Sequence, residues 1–270
     1  MADGSVNFMQ AIYNKSGFVM HYPNVGAGSD LLEGVVPPDP FAISATQLYP
    51  LGTQLIRGEQ VWRYALNGGV ALVPGFTCQN AASAGAAHDM DMVTAAADVG
   101  DYTVTITPGA STSMTANQYK EGILFTNDLA GEGQSIKIKS HPAITHSTTG
   151  ILTLYDPVTL ALTSATLTGV RKNPYNGVVI TPHTTLTGYT VAVVNIPVPI
   201  NYYFWGIVKG ECAIHTIGTV VIGQGVTDDT TTGSVNGAVG PPSAFTERII
   251  GVCVNASVTT DKSLINVNLS

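Results

Sequence analysis

The sequence predicts an all-β chain of the β-sandwich or β-barrel class, on three observations. Short runs of Val, Ile, Thr and aromatic residues alternate with polar ones at a period of two, the spacing of a strand with one buried face. Gly and Pro, 29 and 15 of the 270 residues, interrupt these runs at short intervals. No apolar stripe of helical period is sustained, so little helix is expected.

The clearest folding unit lies between Leu48 and Gly75. Two runs of β-formers, Thr53–Arg57 and Val61–Leu66, flank Gly58-Glu59. Gly at the first central position is what a two-residue II′ hairpin turn requires. In the second run Trp62, Tyr64 and Leu66 share one face, a large aromatic surface to bury, while Val61, Arg63 and Ala65 share the other. Asn67-Gly68-Gly69 ends the strand, and Val70–Val73 is a short apolar segment closed by Pro74-Gly75.

Upstream, residues 1 to 47 show no sustained periodicity, and Val35-Val36-Pro37-Pro38-Asp39-Pro40-Phe41 must be extended. Apolar residues nevertheless recur through this stretch, which a disordered tail would lack. It reads as an extended N-terminal arm that packs on its own domain or docks on a neighbour. Phe8, Tyr13, Phe18, Tyr22 and Phe41 are its candidate docking anchors.

Downstream, the Ala-rich stretch from Cys78 to Val99 is expected to be a loop or one short helix, because Gly85 and a poor apolar stripe oppose anything longer. Strands are then expected at Tyr102–Thr107, Gly122–Thr126, Ser135–Ser140 and Gly150–Tyr155. Asn173-Pro174-Tyr175-Asn176-Gly177 is the strongest mid-chain turn and marks a junction. Beyond it, strands are expected at Val178–Thr181, Tyr189–Asn195 and Tyr202–Lys209, the last turning at Lys209-Gly210 into Cys212–Thr216. Thr219–Ile222, an open loop over Gly223–Gly240, Arg248–Ala256 and Ser263–Leu269 complete the chain. The expected organisation is an arm over 1–47, a β-sandwich subdomain over 48–172 and a second barrel or sandwich over 173–270. A jelly-roll-like or tulip-like arrangement would suit both.

Composition narrows the function. Charged residues make up 11% of the chain, under half the usual quarter, and the net charge is −7. The few cations do not cluster, which excludes phosphate-backbone binding, so no nucleic acid is expected as a partner. No apolar run reaches the length of a membrane span, and the first residues lack the features of a signal peptide. Cys78, Cys212 and Cys253 are odd in number and far apart, and read as buried free thiols made in a reducing cytosol.

No catalytic constellation stands out. His88-Asp89 with Asp91 is the tightest cluster, but without a second His at helical spacing an exposed loop is the default over a metal site. His141 and His146 flank a turn, and His215 alternates with Ile214 and Ile217 as a core or interface histidine. GxSxG and the P-loop are absent, and Trp62 and Trp205 sit in apolar strands, which favours core over sugar stacking. The chain is therefore expected to be non-enzymatic, with no cofactor and no metal.

A series of motifs carries a resemblance. It begins with Tyr49-Pro-Leu-Gly-Thr, Gly58, Trp62-Arg63-Tyr64-Ala65 and Asn67-Gly68-Gly69. It continues through Gly100-Asp101-Tyr-Thr-Val-Thr-Ile, Asn117-Gln118-Tyr119-Lys120-Glu121-Gly122, and Gly131-Glu132-Gly133-Gln134 with Ile138-Lys139-Ser140-His141. Leu152-Thr153-Leu154-Tyr155-Asp156-Pro157, Asn173–Val178, Tyr203-Phe204-Trp205-Gly206 and Gly237-Ala238-Val239 close it. In order and spacing this series, from about residue 46 to the C-terminus, resembles a family of tailed-bacteriophage virion structural proteins.

The resemblance implies a head decoration (cement) protein that binds the outer surface of an icosahedral capsid, commonly as a trimer, and reinforces it. It implies the major capsid protein as partner, a homotrimer, and a place on the virion exterior after synthesis in the bacterial cytoplasm. The alternative is a tail or fibre component whose Gly223–Gly240 loop binds a host receptor. The arm lies outside the resemblance.

Overall fold

The computed structural model describes residues 11–13, 19–21, 38–82, 85–229, 236–242, 247–258 and 260–269. The chain is all-β; among the described residues it has two sheets and a single helical turn. Its contacts divide it into two units, one over residues 85–173 and the other over 38–82 and 174–269 with the two short strands that precede them.

The larger unit begins with β1 (Ala11–Tyr13) and β2 (Val19–His21), which run antiparallel. Strand β2 pairs with β3 (Gln54–Arg57), placing Val19 opposite Ile56. Part of the expected arm is thus sheet, formed by three-residue strands too short to show periodicity and templated by the edge of β3. Phe8, Phe18 and Tyr22 lie outside the described residues, as does the side chain of Tyr13. Strands β3 and β4 (Gln60–Asn67) are joined by the expected two-residue turn, with Arg57 opposite Gln60 and Gly58 at φ 60°. Strand β5 (Phe76–Gln79) follows; the sequence reading placed its apolar segment earlier, at Val70–Val73, which forms only a bridge from Leu72 to Val198.

The smaller unit starts at α1 (Ala86–Asp89), one turn where a loop or short helix was expected. It continues through β6 (Met92–Thr94), β7 (Thr103–Thr107), β8 (Ile123–Asp128), β9 (Ser135–Ser140), β10 (Gly150–Leu154) and β11 (Leu167–Arg171). These close an antiparallel barrel in the order β10-β7-β6-β11-β8-β9. Alternation decides what fills it: Val104, Ile106, Leu124, Ile136, Ile138, Leu152, Leu154 and Val170 point inward to one apolar core.

Strand β11 escaped the sequence reading because Gly169 interrupts its alternation. The structure gives the reason. A Cβ at Gly169 would collide with the Asp89 carbonyl oxygen and come 2.5 Å from the Phe125 ring, so only glycine lets α1 lie against the barrel wall.

The chain then returns to the larger unit with β12 (Asn176–Ile180) and β13 (Thr190–Val194), followed by β14 (Tyr203–His215). The expected hairpin at Lys209-Gly210 is absent, and β14 runs unbroken through thirteen residues. The register of β14 against β4 shifts between Ile207 and Lys209, and just beyond it Gly210, at φ 104°, lets Gln60 approach where a Cβ would come within 3.1 Å of it. Thr219–Ile222 is not a strand, and the expected open loop contains β15 (Gly225–Asp228) and β16 (Val239–Gly240). The last strands are β17 (Gly251–Asn255) and β18 (Lys262–Asn268).

Among the described residues these strands form one mixed sheet, ordered β1-β2-β3-β4-β12-β5-β13-β14-β18-β17-β15-β16, with β4 also paired to β14. Its central strands bury both faces. Leu55, Trp62, Tyr64, Val193, Trp205 and Ile207 pack on one side, and Ala65, Ala192, Val194 and Phe204 on the other.

This division differs from subdomains over 48–172 and 173–270. Residues 48–82 share a sheet with 174–269, and the barrel is inserted between β5 and β12. The reason is non-local pairing: β4 bonds to β12 and β14, a connection that short-range patterning does not carry.

Gly169→Ala is expected to destabilise the barrel by about 1–3 kcal/mol, the usual cost of forcing an extra carbon into a packed contact. Urea unfolding checks it; an unchanged midpoint would show that α1 can move away freely.

Candidate functional site

The segment from Pro38 to Tyr49 lies over an aromatic cluster and builds a groove on the larger unit. Asp39 starts it with a turn, its Oδ1 accepting from the Phe41 N–H at 2.9 Å and its carbonyl from the Ala42 N–H at 3.1 Å. Ser44 and Tyr203 exchange backbone hydrogen bonds of 3.0 and 2.7 Å, fixing the segment to the start of β14. The Leu48 N–H then donates to Tyr64 Oη at 3.2 Å.

Beneath lie four rings. Tyr64 and Trp205 are cross-strand partners on β4 and β14, with centroids 5.0 Å apart. Tyr49 meets Tyr64 edge-on at 5.2 Å, and Tyr203 stacks on Tyr64 at 5.6 Å. Each such pair adds about 0.5–1.5 kcal/mol beyond burial, so the platform is rigid. Burial pushes the Tyr64 phenol well above its ordinary pKa, and it stays protonated at neutral pH. Between segment and platform runs a groove of about 200 Å³ lined by Ile43, Leu48, Tyr49, Tyr64, Tyr203 and Trp205 among others. At its edges Leu48 is 50% exposed and Ile43 39%, and Phe41, beside the groove-lining Ala42 in the chain, is 51% exposed. Of the expected arm anchors, Phe41 is the one whose side chain is described, and it is exposed on the segment that covers the groove without lining it.

The other residues singled out from sequence fall elsewhere. Trp62 and Trp205 are both core, and Trp205 reaches the groove only as part of its floor. His88 is fully buried, not on an exposed loop, because α1 turns its ring into the barrel unit. Its Nδ1 lies 2.6 Å from Tyr119 Oη and its Nε2 2.8 Å from the Thr112 carbonyl, so no ring nitrogen remains for a metal. Asp91 bonds Asn127 Nδ2 at 2.7 Å instead.

His141 is buried and His146 exposed, so the two do not act together. His215 stacks on Phe76 at 5.2 Å at the end of β14. The three thiols are free and buried, and burial raises each pKa, that of Cys212 to about 12, so they are not nucleophiles at neutral pH. Among the described residues no group of three His, Cys, Asp or Glu side chains converges as metal ligands, and no helix is long and apolar enough to cross a membrane.

Sequence reasoning missed Asp228 on β15. Its carboxylate accepts from Thr190 Oγ1 at 2.6 Å and Thr77 Oγ1 at 3.2 Å, joining three strands. Burial raises its pKa, against the pull of both hydroxyls and of Arg248. An Asp in a Thr- and Gly-rich stretch carried no signal of this in the sequence.

Compared with known proteins, the chain matches no family model, no curated protein and no solved structure.

Tyr64→Phe keeps the ring platform and removes the acceptor of the Leu48 N–H. The expected loss is about 0.5–1.5 kcal/mol in denaturant unfolding. No loss would mean that the segment is held by the Ser44–Tyr203 bridge alone.

Proposed function

We propose that this chain is a non-enzymatic structural protein of a tailed-phage virion, a decoration protein that binds the outer surface of the head and stabilises it. The carrying observation is the exposed apolar set Phe41, Ile43 and Leu48 on one segment, which is fixed by the Ser44–Tyr203 backbone bonds and the Leu48 N–H to Tyr64 Oη bond, with Ile43 and Leu48 lining the groove over the aromatic platform. Exposed apolar residues cost little singly, but a pre-ordered set pays little entropy on docking. The wider surface supports the same reading. With 11% charged residues, the chain carries little of the Lys and Glu that keeps free monomers apart. Val70, Ile200, Val221, Ile222 and Val258 are also exposed. The motif series that resembles phage virion proteins supplies the partner class, the major capsid protein.

The proposed mechanism is mechanical. Copies assembled as trimers would span joints between capsid subunits, and several weak contacts per trimer add through effective concentration. No bond is made or broken. Acidity suits this outer position, since a surface facing packaged DNA is expected to be basic.

Co-sedimentation with expanded, undecorated heads tests the proposal, with bound copies counted per capsid. Saturable binding in multiples of three per lattice site, with heads more resistant to heat, is the expected result. Retention on host cells without binding to heads would replace it with the receptor-binding reading. Replacing Phe41, Ile43 and Leu48 together by Ser should leave the unfolding midpoint within about 0.5 kcal/mol per site and weaken head binding at least tenfold. Undiminished binding would place docking on another surface.

A further inference from the structure

The motif Asn117-Gln118-Tyr119-Lys120-Glu121-Gly122 is not used by the proposed docking surface, yet it is among the most constrained parts of the barrel unit. Asn117 and Glu121 both have positive φ, 57° and 62°. The turn they form is tied to the exit of β9: the Asn117 N–H donates to the His141 carbonyl, and the Glu121 N–H to the Ile138 carbonyl. Asn117 Oδ1 in turn accepts from the His141 N–H at 3.0 Å. Tyr119, 1% exposed, sits between two buried imidazoles, 5.7 Å from the His88 ring and 5.9 Å from the His141 ring.

The hydrogen bonds around these rings fix their protons. His141 Nε2 lies 3.0 Å from the Tyr119 backbone N–H, which only donates, so this nitrogen must be bare. His141 Nδ1 lies 2.8 Å from the Pro142 carbonyl, which only accepts, so the proton is there. His88 Nε2 faces the Thr112 carbonyl and carries that ring's proton, leaving Nδ1 to accept from the Tyr119 hydroxyl at 2.6 Å. The other neighbour of that hydroxyl is Gln118 Nε2, a donor at 3.4 Å, whose orientation is set by Oε1 accepting from the Thr115 N–H at 2.9 Å. Each group therefore has one role only.

A second proton breaks the chain at either ring. On His141 it sets N–H against the Tyr119 N–H. On His88 it turns the phenol round, and its hydrogen then faces no acceptor. The charged groups that act on the cluster, both through Tyr119, are Asp89 at the end of α1 and Arg171 at the end of β11, and they act with opposite sign. No carboxylate bonds either imidazole to stabilise a charged ring.

We propose that His88–Tyr119–His141 is an acid-sensitive latch: it holds the Thr112–Gly122 segment against α1 and the end of β9 while His141 is neutral, and releases it when His141 is protonated. The electrostatics agree. Burial, with His88 adding to it, holds His141 below the ordinary 6.5. The folded state thus binds this proton less readily than the unfolded chain. Its contribution to stability is complete above about pH 6.5, the unfolded value, and is lost as pH falls from there toward the folded value.

Hydrogen exchange of the full chain between pH 8 and 5, corrected for the intrinsic rate, tests this. Peptides over residues 112–122 and 140–146 should open about tenfold more per pH unit for each proton taken up, below about pH 6.5. A His88→Gln/His141→Gln double variant, in which each amide can both donate and accept, should keep its protection at pH 8 and lose the slope. Constant protection in the wild type, or the same slope in the variant, would overturn the proposal. Should the variant fail to fold, long-range ¹⁵N NMR of the wild type decides: a neutral His141 ring at pH 7 with its proton on Nδ1 is expected. The opposite tautomer, or a charged ring, would overturn it.

Discussion

The larger unit depends on one strand. Across its thirteen residues β14 pairs with β4 over Tyr203–Lys209, with β18 over Lys209–His215, and with β13 at Ile207. The side chains of its first half alternate between two cores, Phe204 entering one and Trp205 and Ile207 the other. A slip by one residue would exchange the faces, moving Trp205 away from Tyr64 and emptying both cores together. That is why the strand tolerates an unusual Gly210 without breaking: its pairings on either side leave it no room to turn. The segment that carries the proposed docking rim is fixed to the first residue of this same strand, so the surface inherits its position from the core.

How much of this was legible follows from the range of each signal. Local alternation marked β7, β8, β9, β10, β17 and β18 closely, because half-buried antiparallel strands write a period of two into the chain. The Gly58-Glu59 turn was legible for the same reason, since a two-residue hairpin needs its glycine. Strands buried on both faces, such as the core of β13, have no alternation but announce themselves by continuous apolar character.

The failures are non-local. Gly210 looks like a turn residue to any local rule, and only the neighbouring strands keep it within β14. Gly169 hides β11 because its meaning lies in the approach of Asp89, eighty residues upstream. His88 looked exposed because its partners, Tyr119 and Thr112, come from another part of the chain. Of the docking rim, Phe41 was marked as an anchor, but Ile43, Leu48 and the aromatic platform that gives the rim its rigidity were not recognised as one surface.

The two units divide labour in physical terms. The barrel closes on itself, which removes exposed strand edges, and satisfies buried polar groups in separate networks, one around Tyr119 and another around Gln134. The larger unit holds Ile43 and Leu48 partly in solvent over its aromatic platform, and the proposed docking rests on that surface. Cryo-electron microscopy of heads with and without the protein measures the central claim directly. The account predicts difference density on the outer surface, following the local symmetry of the lattice, with Phe41, Ile43 and Leu48 turned toward the shell. Identical maps, or density confined to the tail, would contradict it.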